Sequence, residues 1–309
     1  MTALDLAIII LNYNTRDLLR RCLQTVFASR GAFSYEVCVV DNASGDGSAA
    51  MVAAEFPQVK LIASQVNGGF SYGNNLALRH YGFSDVPGGG NRQLTPRYVL
   101  LLNPDTELPA GALADMLDFV NDRPTCGVAG PKLVRLDGSL DLACRRSFPS
   151  PTVAAHRLLG LSKLFPGSPR FGRYNLTYLD PDQMTEVDSV VGAFMLVRGQ
   201  AIHQVGLLDE AFFMYGEDLD WAFRIKAQGW QVWYNPGVTV LHVKEAASKT
   251  SSKARYEFYR AMVVFYRKHY QATTPLWLHW LIVGGIGLRG ALAMLGRGWS
   301  RRWRKQTPA

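Results

Sequence analysis

The chain predicts an α/β fold: a mostly parallel central sheet with helices on both faces. Three observations carry that reading. Over the first 135 residues short apolar runs alternate with helical patterns, the runs are unbroken by polar side chains, and each run opens into a polar loop. Unbroken apolar strands belong to parallel sheets covered on both faces, where neither side meets water.

The elements follow in order. Leu6 to Leu11 is the first strand, with a helix from Thr15 to Ala28. Glu36 to Val40 is the second, with a helix from Gly47 to Glu55. Val59 to Ala63 precedes a helix from Tyr72 to Tyr81, and Tyr98 to Leu102 precedes one from Ala110 to Asn121. Further on, Val187 to Val197 reads as one strand returning to the sheet, Gln200 to Val205 as a short helix, and Val238 to Leu241 as a strand ending at His242.

In open α/β sheets ligands bind beyond the carboxyl ends of the strands. The loops there read Asn12-Tyr13-Asn14, Asp41 to Asp46, Asn67-Gly68-Gly69-Phe70 and Asn103-Pro104-Asp105-Thr106. Each alone also reads as a turn or cap, with Ser44 or Asp46 suited to a helix N-cap and Thr106 to a turn. Four at one edge point instead to a ligand crevice. Asp41, ending the second strand, suits hydrogen bonding to a nucleobase or ribose. The Gly68-Gly69 pair permits close approach of backbone to a ligand. Asp105 offers a hard oxygen to a divalent cation whose shell a diphosphate and waters complete. No Gly-x-Gly-x-x-Gly follows the first strand and no Gly-x-x-x-x-Gly-Lys occurs, so hydride transfer and P-loop hydrolysis lose ground.

A second candidate centre is Phe213 to Trp221, where Glu217, Asp218 and Asp220 stand among aromatic and apolar residues. Gly216 permits a tight turn and a helix runs on through Gln228, placing Glu217 and Asp218 in its first turn. The helix dipole favours carboxylates there, and apolar neighbours thin the water around a prospective base. The same pattern is an ordinary acidic first turn, and Asp220 with Arg224 has the spacing of a simple ion pair.

These residues resemble the inverting nucleotide-sugar glycosyltransferases of family 2, with the GT-A fold, and especially their bacterial rhamnosyltransferase-like branch. The resemblance spans residues 6 to about 270. It rests on Ile8 to Asn14, Val39 to Ser44, Asn67 to Phe70 with Asn74-Asn75, Leu101 to Thr106, Gly192 to Met195 and Gly216 to Trp221. It implies a donor site including Asn12, Asn14, Asp41, Asn67, Gly68, Asn74 and Asn103, with Asp41 on the base and ribose. It implies a divalent metal, Mg²⁺ or Mn²⁺, on Asp105, and Asp218 as general base with Glu217 beside it. The wider family's Asp-x-Asp metal motif reads Asn103-Pro104-Asp105 here, and His242 occupies the place where similar enzymes bring a histidine to the metal. The donor implied is dTDP-L-rhamnose, with a UDP-hexose as the alternative. A sugar-nucleotide-binding scaffold without turnover is a reading of another class.

Residues 1–270 then form the glycosyltransferase domain, 1–135 its nucleotide-sugar half and 136–270 its acceptor and catalytic half. Within the second half, residues 140–190 carry five prolines and the basic residues Arg145, Arg146, Arg157, Lys163, Arg170 and Arg173. They read as an excursion over the acceptor side. Most of its cations are expected on a solvated face, with some free to meet a pyrophosphate.

The chain has 309 residues and a net charge of +8. No Asp or Glu follows Glu257, whereas nine Lys and Arg do, so the body is close to neutral and the basic character belongs to the tail. A nucleic-acid partner is disfavoured, because no basic stripe crosses the body. Cys22, Cys38, Cys126 and Cys144 form no Cys-x-x-Cys pair and read as reduced structural thiols. The N-terminus has no basic leader and enters a core strand at once, which predicts a cytoplasmic protein.

Residues 271–309 form an amphipathic tail. Pro275 to Leu288 is apolar and interrupted by Arg289, with Trp277, Trp280, Trp299, Trp303 and a basic run from Arg297 to Lys305. This predicts a helix lying on the cytoplasmic membrane surface, and with it a lipid-linked saccharide or polysaccharide acceptor. A helix that packs a homo-oligomer is the alternative.

Overall fold

The computed structural model describes residues 4–243 and 252–304, and side chains through Leu295. The parallel half is built from β1 (Leu6–Asn12), α1 (Arg16–Phe27), β2 (Tyr35–Asp41), α2 (Ser48–Glu55), β3 (Lys60–Ala63), α3 (Gly69–His80) and β4 (Tyr98–Leu102). Leu6 to Ile10 are fully buried, as a strand covered on two faces demands. On α1, Leu19, Cys22, Leu23 and Val26 are buried, the i, i+3, i+4, i+7 stripe of a helix lying on a sheet.

After β5 (Thr106–Glu107) and α4 (Ala112–Asn121), β6 (Cys126–Val134) closes the first half. The excursion holds α5 (Pro151–Leu158) and α6 (Leu161–Leu164). Then come β7 (Thr185–Val187), β8 (Phe194–Arg198), α7 (Gly199–Val205), α8 (Glu217–Ala227) and β9 (Gln231–His242). All the described strands join one mixed, mostly parallel sheet of order β3-β2-β1-β4-β8-β6-β9-β5, with β7 paired to β9. β8 lies antiparallel between β4 and β6, and β6 lies between β8 and β9, so the sheet is continuous across the two halves. The four cysteines are free and buried.

The single strand expected from Val187 to Val197 is in fact two. β7 and β8 pair with different neighbours, and residues 188–193 turn between them. Asp188 leaves the extended path to accept the Phe148 N–H at 3.0 Å, and Ser189 bridges to Arg146. The α3 helix also begins at Gly69 rather than Tyr72, taking the third loop's glycines into the helix start.

Two further helices complete the described residues: α9 (Ser252–His269) and α10 (Leu276–Arg304). α10 is one helix of 29 residues, interrupted neither by Arg289 nor by its glycines. It lays His279, Ile286 and Gly290 inward, while Trp277, Trp280, Leu281, Leu288 and Leu292 stay exposed. Leu276–Leu295 is long and apolar enough to cross a membrane. The side chains of Trp299, Trp303 and the basic residues from Arg297 to Lys305 lie outside the described residues.

Candidate active site

β1, β2 and β4 run parallel in register, so their carboxyl ends share one edge. There the Asp41 carboxylate is buried and accepts the Asn12 Nδ2–H at 2.9 Å and the Ser44 N–H at 3.0 Å. No described cation pairs with it. The Asn12 amide also donates to Ser44 Oγ (3.1 Å) and accepts from Thr15 Oγ1 (2.6 Å), so its hydrogen bonds order the Asp41 loop. Asn14 is exposed, and its Oδ1 accepts the Gly45 N–H at 2.8 Å. Asn14 and Ala43 both adopt positive φ, 54° and 63°, in the two loops that frame Asp41. Such backbone costs about 1–3 kcal/mol per residue and marks loops that the fold over-determines.

The third loop serves the protein's own architecture. Asn67 Oδ1 accepts from Asn42 Nδ2 (2.9 Å) and from the Gly69 N–H (3.1 Å), while the Gly68 N–H reaches Asn42 Oδ1 at 3.2 Å. Gly69 sits at φ 90°, and a Cβ there would lie 2.2 Å from the Phe213 carbonyl oxygen. A Cβ on Gly68 would meet the Tyr72 ring, also at 2.2 Å. Both glycines thus allow a close approach within the protein. It seats the α3 start on the loop that leads into α8. Asn74 is buried, its Nδ2 donating to the Phe70 carbonyl at 2.9 Å, which holds the same helix start.

That loop delivers the acidic pair. Tyr215 (φ 69°) and Gly216 (φ 85°) are both left-handed just before α8. Glycine accepts this conformation freely, whereas a bulky tyrosine does so only when packing enforces it. Glu217 and Asp218 then occupy the first turn of α8, both buried. Asp218 Oδ2 accepts from Arg146 Nη2 at 2.7 Å and from the Gly192 N–H at 3.0 Å, and Oδ1 from the Leu219 N–H at 2.8 Å. Burial opposes the charge on Arg146, but the adjacent Asp218 and Tyr174 more than offset it and keep the guanidinium protonated. Glu217 differs: its Oε2 is buried without a hydrogen-bond partner. Burial, and next the negative charge of Asp218, push its carboxyl up to about 8.

Asp220 faces away from this pair into a clamp of Arg224 Nε (2.9 Å), His269 Nε2 (2.7 Å) and Lys268 Nζ (2.8 Å). Burial works against its charge, yet the His269, Arg224 and Lys268 contacts hold it down to about 2. Asp220 thus ties α8 to α9.

Asp105 and His242 meet, with Asp105 Oδ1 3.3 Å from His242 Nε2. β5 and β9 make the meeting, since Thr106 is the register partner of His242. Asp141 Oδ2 backs the ring at Nδ1, 2.9 Å away. Burial lowers the affinity of the imidazole for a second proton, but the two carboxylates raise it, to about 9. Among the described residues no group of three His, Cys, Asp or Glu surrounds a metal position. With the Nε2 proton displaced, the donor set suits a divalent cation: a hard carboxylate beside an imidazole whose far nitrogen is oriented by a second carboxylate. Such a site needs further oxygens from a bound diphosphate and water.

Arg145, Arg146 and Asp141 lacked a specific sequence signal. Most cations of the excursion were expected on a solvated face, yet Arg145 and Arg146 are buried. In extended backbone, neighbours point to opposite sides: Arg145 holds the Asp180 and Leu179 carbonyls at 2.7 and 2.8 Å, and Arg146 reaches Asp218. Asp141 carried no motif signal, and Gly192 was visible only as part of the Gly192 to Met195 motif. Arg157, Lys163, Arg170 and Arg173 are exposed, as expected.

A cavity of about 520 Å³ joins the Asp105–His242 corner to the acidic pair, lined by Asn103, Asp105 and His242 together with Arg146, Glu217 and Asp218. Residues 4–259 match the sequence model of a family described as glycosyltransferase like family 2. The chain belongs to glycosyltransferase family 2. This glycosyltransferase is 27% identical over 257 residues to the N-acetylglucosaminyl-diphospho-decaprenol L-rhamnosyltransferase of Mycobacterium tuberculosis, covering 83% of this chain and 82% of that one. It is 26% identical over 238 residues to rhamnosyltransferase WbbL of Escherichia coli, covering 76% and 82% of the two chains. Its fold is GT-A-like. The mannosyltransferase PcManGT of Pyrobaculum calidifontis, solved with GDP-Man and Mn²⁺, superposes with a TM-score of 0.56 at 16% identity, over 100% of this glycosyltransferase and 77% of that chain.

Proposed function

We propose that this glycosyltransferase moves L-rhamnose from dTDP-L-rhamnose to a hydroxyl of a lipid-linked saccharide in cell-envelope glycan synthesis, with inversion at the anomeric carbon. One observation carries the reading: a single cavity holds the Asp105–His242 corner, suited to a nucleotide diphosphate and its cation, and the buried Glu217–Asp218 pair. The printed activities of the two rhamnosyltransferase relatives support the sugar, and the mycobacterial relative's diphospho-decaprenol substrate supports the acceptor.

Asp41 accepts hydrogen bonds from the base or ribose, in a loop ordered by Asn12 and Ser44. A divalent cation held by Asp105 and His242 would offset charge on the departing nucleoside diphosphate. Asp218, fixed by Arg146 and the Gly192 N–H, keeps a lone pair on Oδ1 and takes the proton from the acceptor hydroxyl. Glu217, neutral near pH 7, presents its unpaired oxygen beside that hydroxyl. The exposed apolar side of α10 supports seating at the cytoplasmic membrane surface, where a lipid-linked acceptor resides.

A panel of dTDP-, UDP- and GDP-sugars with Mg²⁺ or Mn²⁺, followed by thermal shift and then by diphosphate release, tests the reading. The expected result is acceptor-dependent release of dTDP from dTDP-L-rhamnose. Preference for a UDP-hexose would replace the donor, and failure to release nucleoside diphosphate with any of the donors and a lipid acceptor would favour a sugar-nucleotide-binding scaffold.

A further inference from the structure

The catalytic cavity extends past the acidic pair. Its remaining wall comes from α5 (Ala154, Leu158), α9 (Phe258, Met262) and two cations, Arg157 and Arg289. Asn12, Asp41 and Asn67 do not line it, so this part of the cavity belongs to the acceptor half.

Arg157 stacks with its guanidinium carbon 4.1 Å from the Tyr174 ring centre and 5.9 Å from that of Phe258. Stacking fixes the guanidinium plane and leaves its N–H edge free for an anion. Arg289 is the one Lys, Arg, Asp or Glu between Leu276 and Leu295. A charge inside so apolar a helix is costly near lipid and is kept where it serves a site. Its direction follows from the packing of α10 on α9. Gly290, next in sequence, is buried with its missing Cβ 3.2 Å from the Tyr259 ring, and the Ala293 carbonyl accepts from Arg255 at 2.9 Å. Among the described residues no carboxylate forms an ion pair with Arg157 or Arg289, and the carboxylates that line the same cavity are those of Asp105, Glu217 and Asp218.

We propose that Arg157 and Arg289 bind the diphosphate of a membrane-borne acceptor, whose sugar lies at Glu217–Asp218 and whose hydrocarbon chain leaves along α10. This rests on the reading of a lipid-linked acceptor. It adds that the apolar helix is part of the acceptor site, carrying one of the two arginines that read the diphosphate.

The test uses the full chain, wild type and Arg157→Gln/Arg289→Gln, both sites being exposed enough to leave the core intact. Binding of farnesyl diphosphate is measured in saturating dTDP or UDP with Mg²⁺, so that the donor site is filled. Transfer is measured to an N-acetylglucosaminyl diphosphate lipid and to an alkyl N-acetylglucosaminide lacking the diphosphate. The expected double variant binds farnesyl diphosphate at least tenfold more weakly. Its KM for the diphosphate acceptor rises by a similar factor, with donor KM and the alkyl glycoside KM unchanged. The paired lysine variant recovers part of the loss. Wild-type protein that does not bind farnesyl diphosphate, variant binding equal to wild type, or a donor KM that rises in parallel overturns the proposal. Tight, arginine-dependent binding without any sugar transfer upholds it and removes the transferase reading instead. Transfer with unaltered binding does the reverse.

Discussion

The donor edge and the acceptor side meet in one cavity but are assembled in opposite ways. At the donor edge each loop follows its own strand: Asn12 ends β1, Asp41 ends β2, and Asn103 follows β4, and parallel register alone aligns them. On the acceptor side the contacts that fix Asp218 Oδ2 are long-range. Arg146 reaches Asp218 across 72 positions, and Gly192 reaches it across 26. The carboxylates diverge accordingly. Asp41 is held by neutral hydrogen bonds from neighbouring strand ends, whereas Asp218 is buried against a guanidinium that arrives from an irregular excursion. A site made of local βα units can be read as motifs. In one made of antiparallel returns and long loops the carboxylates can be read, but the partners that fix them cannot.

The strongest way to break this comparison is at Asp218. Asp218→Asn is expected to lower kcat about 10²–10⁴-fold while donor binding, read by thermal shift, is retained. Turnover above a tenth of wild type would remove the base assignment. Arg146→Ala comes next, because it strands a buried carboxylate. Loss of one partner of a buried pair costs about 3–5 kcal/mol, to be read from urea unfolding, with Arg146→Lys recovering part of it. A variant as stable as wild type would mean that Asp218 is better solvated than its burial implies.

Asp220 offers a smaller, pH-dependent effect. Its folded pKa is held at about 2 against an ordinary 3.8, so the folded state favours the ionised form. The clamp to α9 therefore stabilises the fold above about pH 4, by about 2 kcal/mol, and the contribution is lost as pH falls through about 2. Asp220→Asn should be less stable by that amount at pH 7, the gap closing in acid. A constant gap would assign the difference to packing.

The smallest effect is expected at Glu217, and it separates the two acids. Because burial pushes this carboxyl up to about 8, it is mostly protonated at pH 7. Glu217→Gln copies that state and should stay within a few-fold of wild-type kcat at pH 7. Wild-type activity should fall as pH rises through about 8, when a second negative charge forms beside Asp218, and the variant should lack that limb. A loss at pH 7 as large as that of Asp218→Asn would exchange the two roles.

Legibility follows the same division. The strands of the parallel half match expectation to within a residue or so, because apolar runs buried on both faces have one reading. The carboxylates of the acidic turn and Asp105 were visible as candidates for the same reason: acids among apolar residues at an element's end are few. Asn12, Asn74 and the Gly68-Gly69 pair were visible as motif residues, but their work, bonding Asp41 or seating α3 on Phe213, was not. The break at residues 188–193 was hidden, because an apolar pattern does not reveal that its two ends pair with different strands.

By itself, then, the sequence determined the α/β class, the polar edge of the parallel sheet, the acidic first turn of α8 and an apolar, basic C-terminal helix. All of these depend on periodicity and on residue types at element ends. Only tertiary structure decided that Arg146 and the Gly192 N–H hold Asp218, that His242 stands between Asp105 and Asp141, and that Arg289 lines the cavity. Each of those depends on which distant segments pack together, and burial that comes from long-range packing leaves no local mark in the chain.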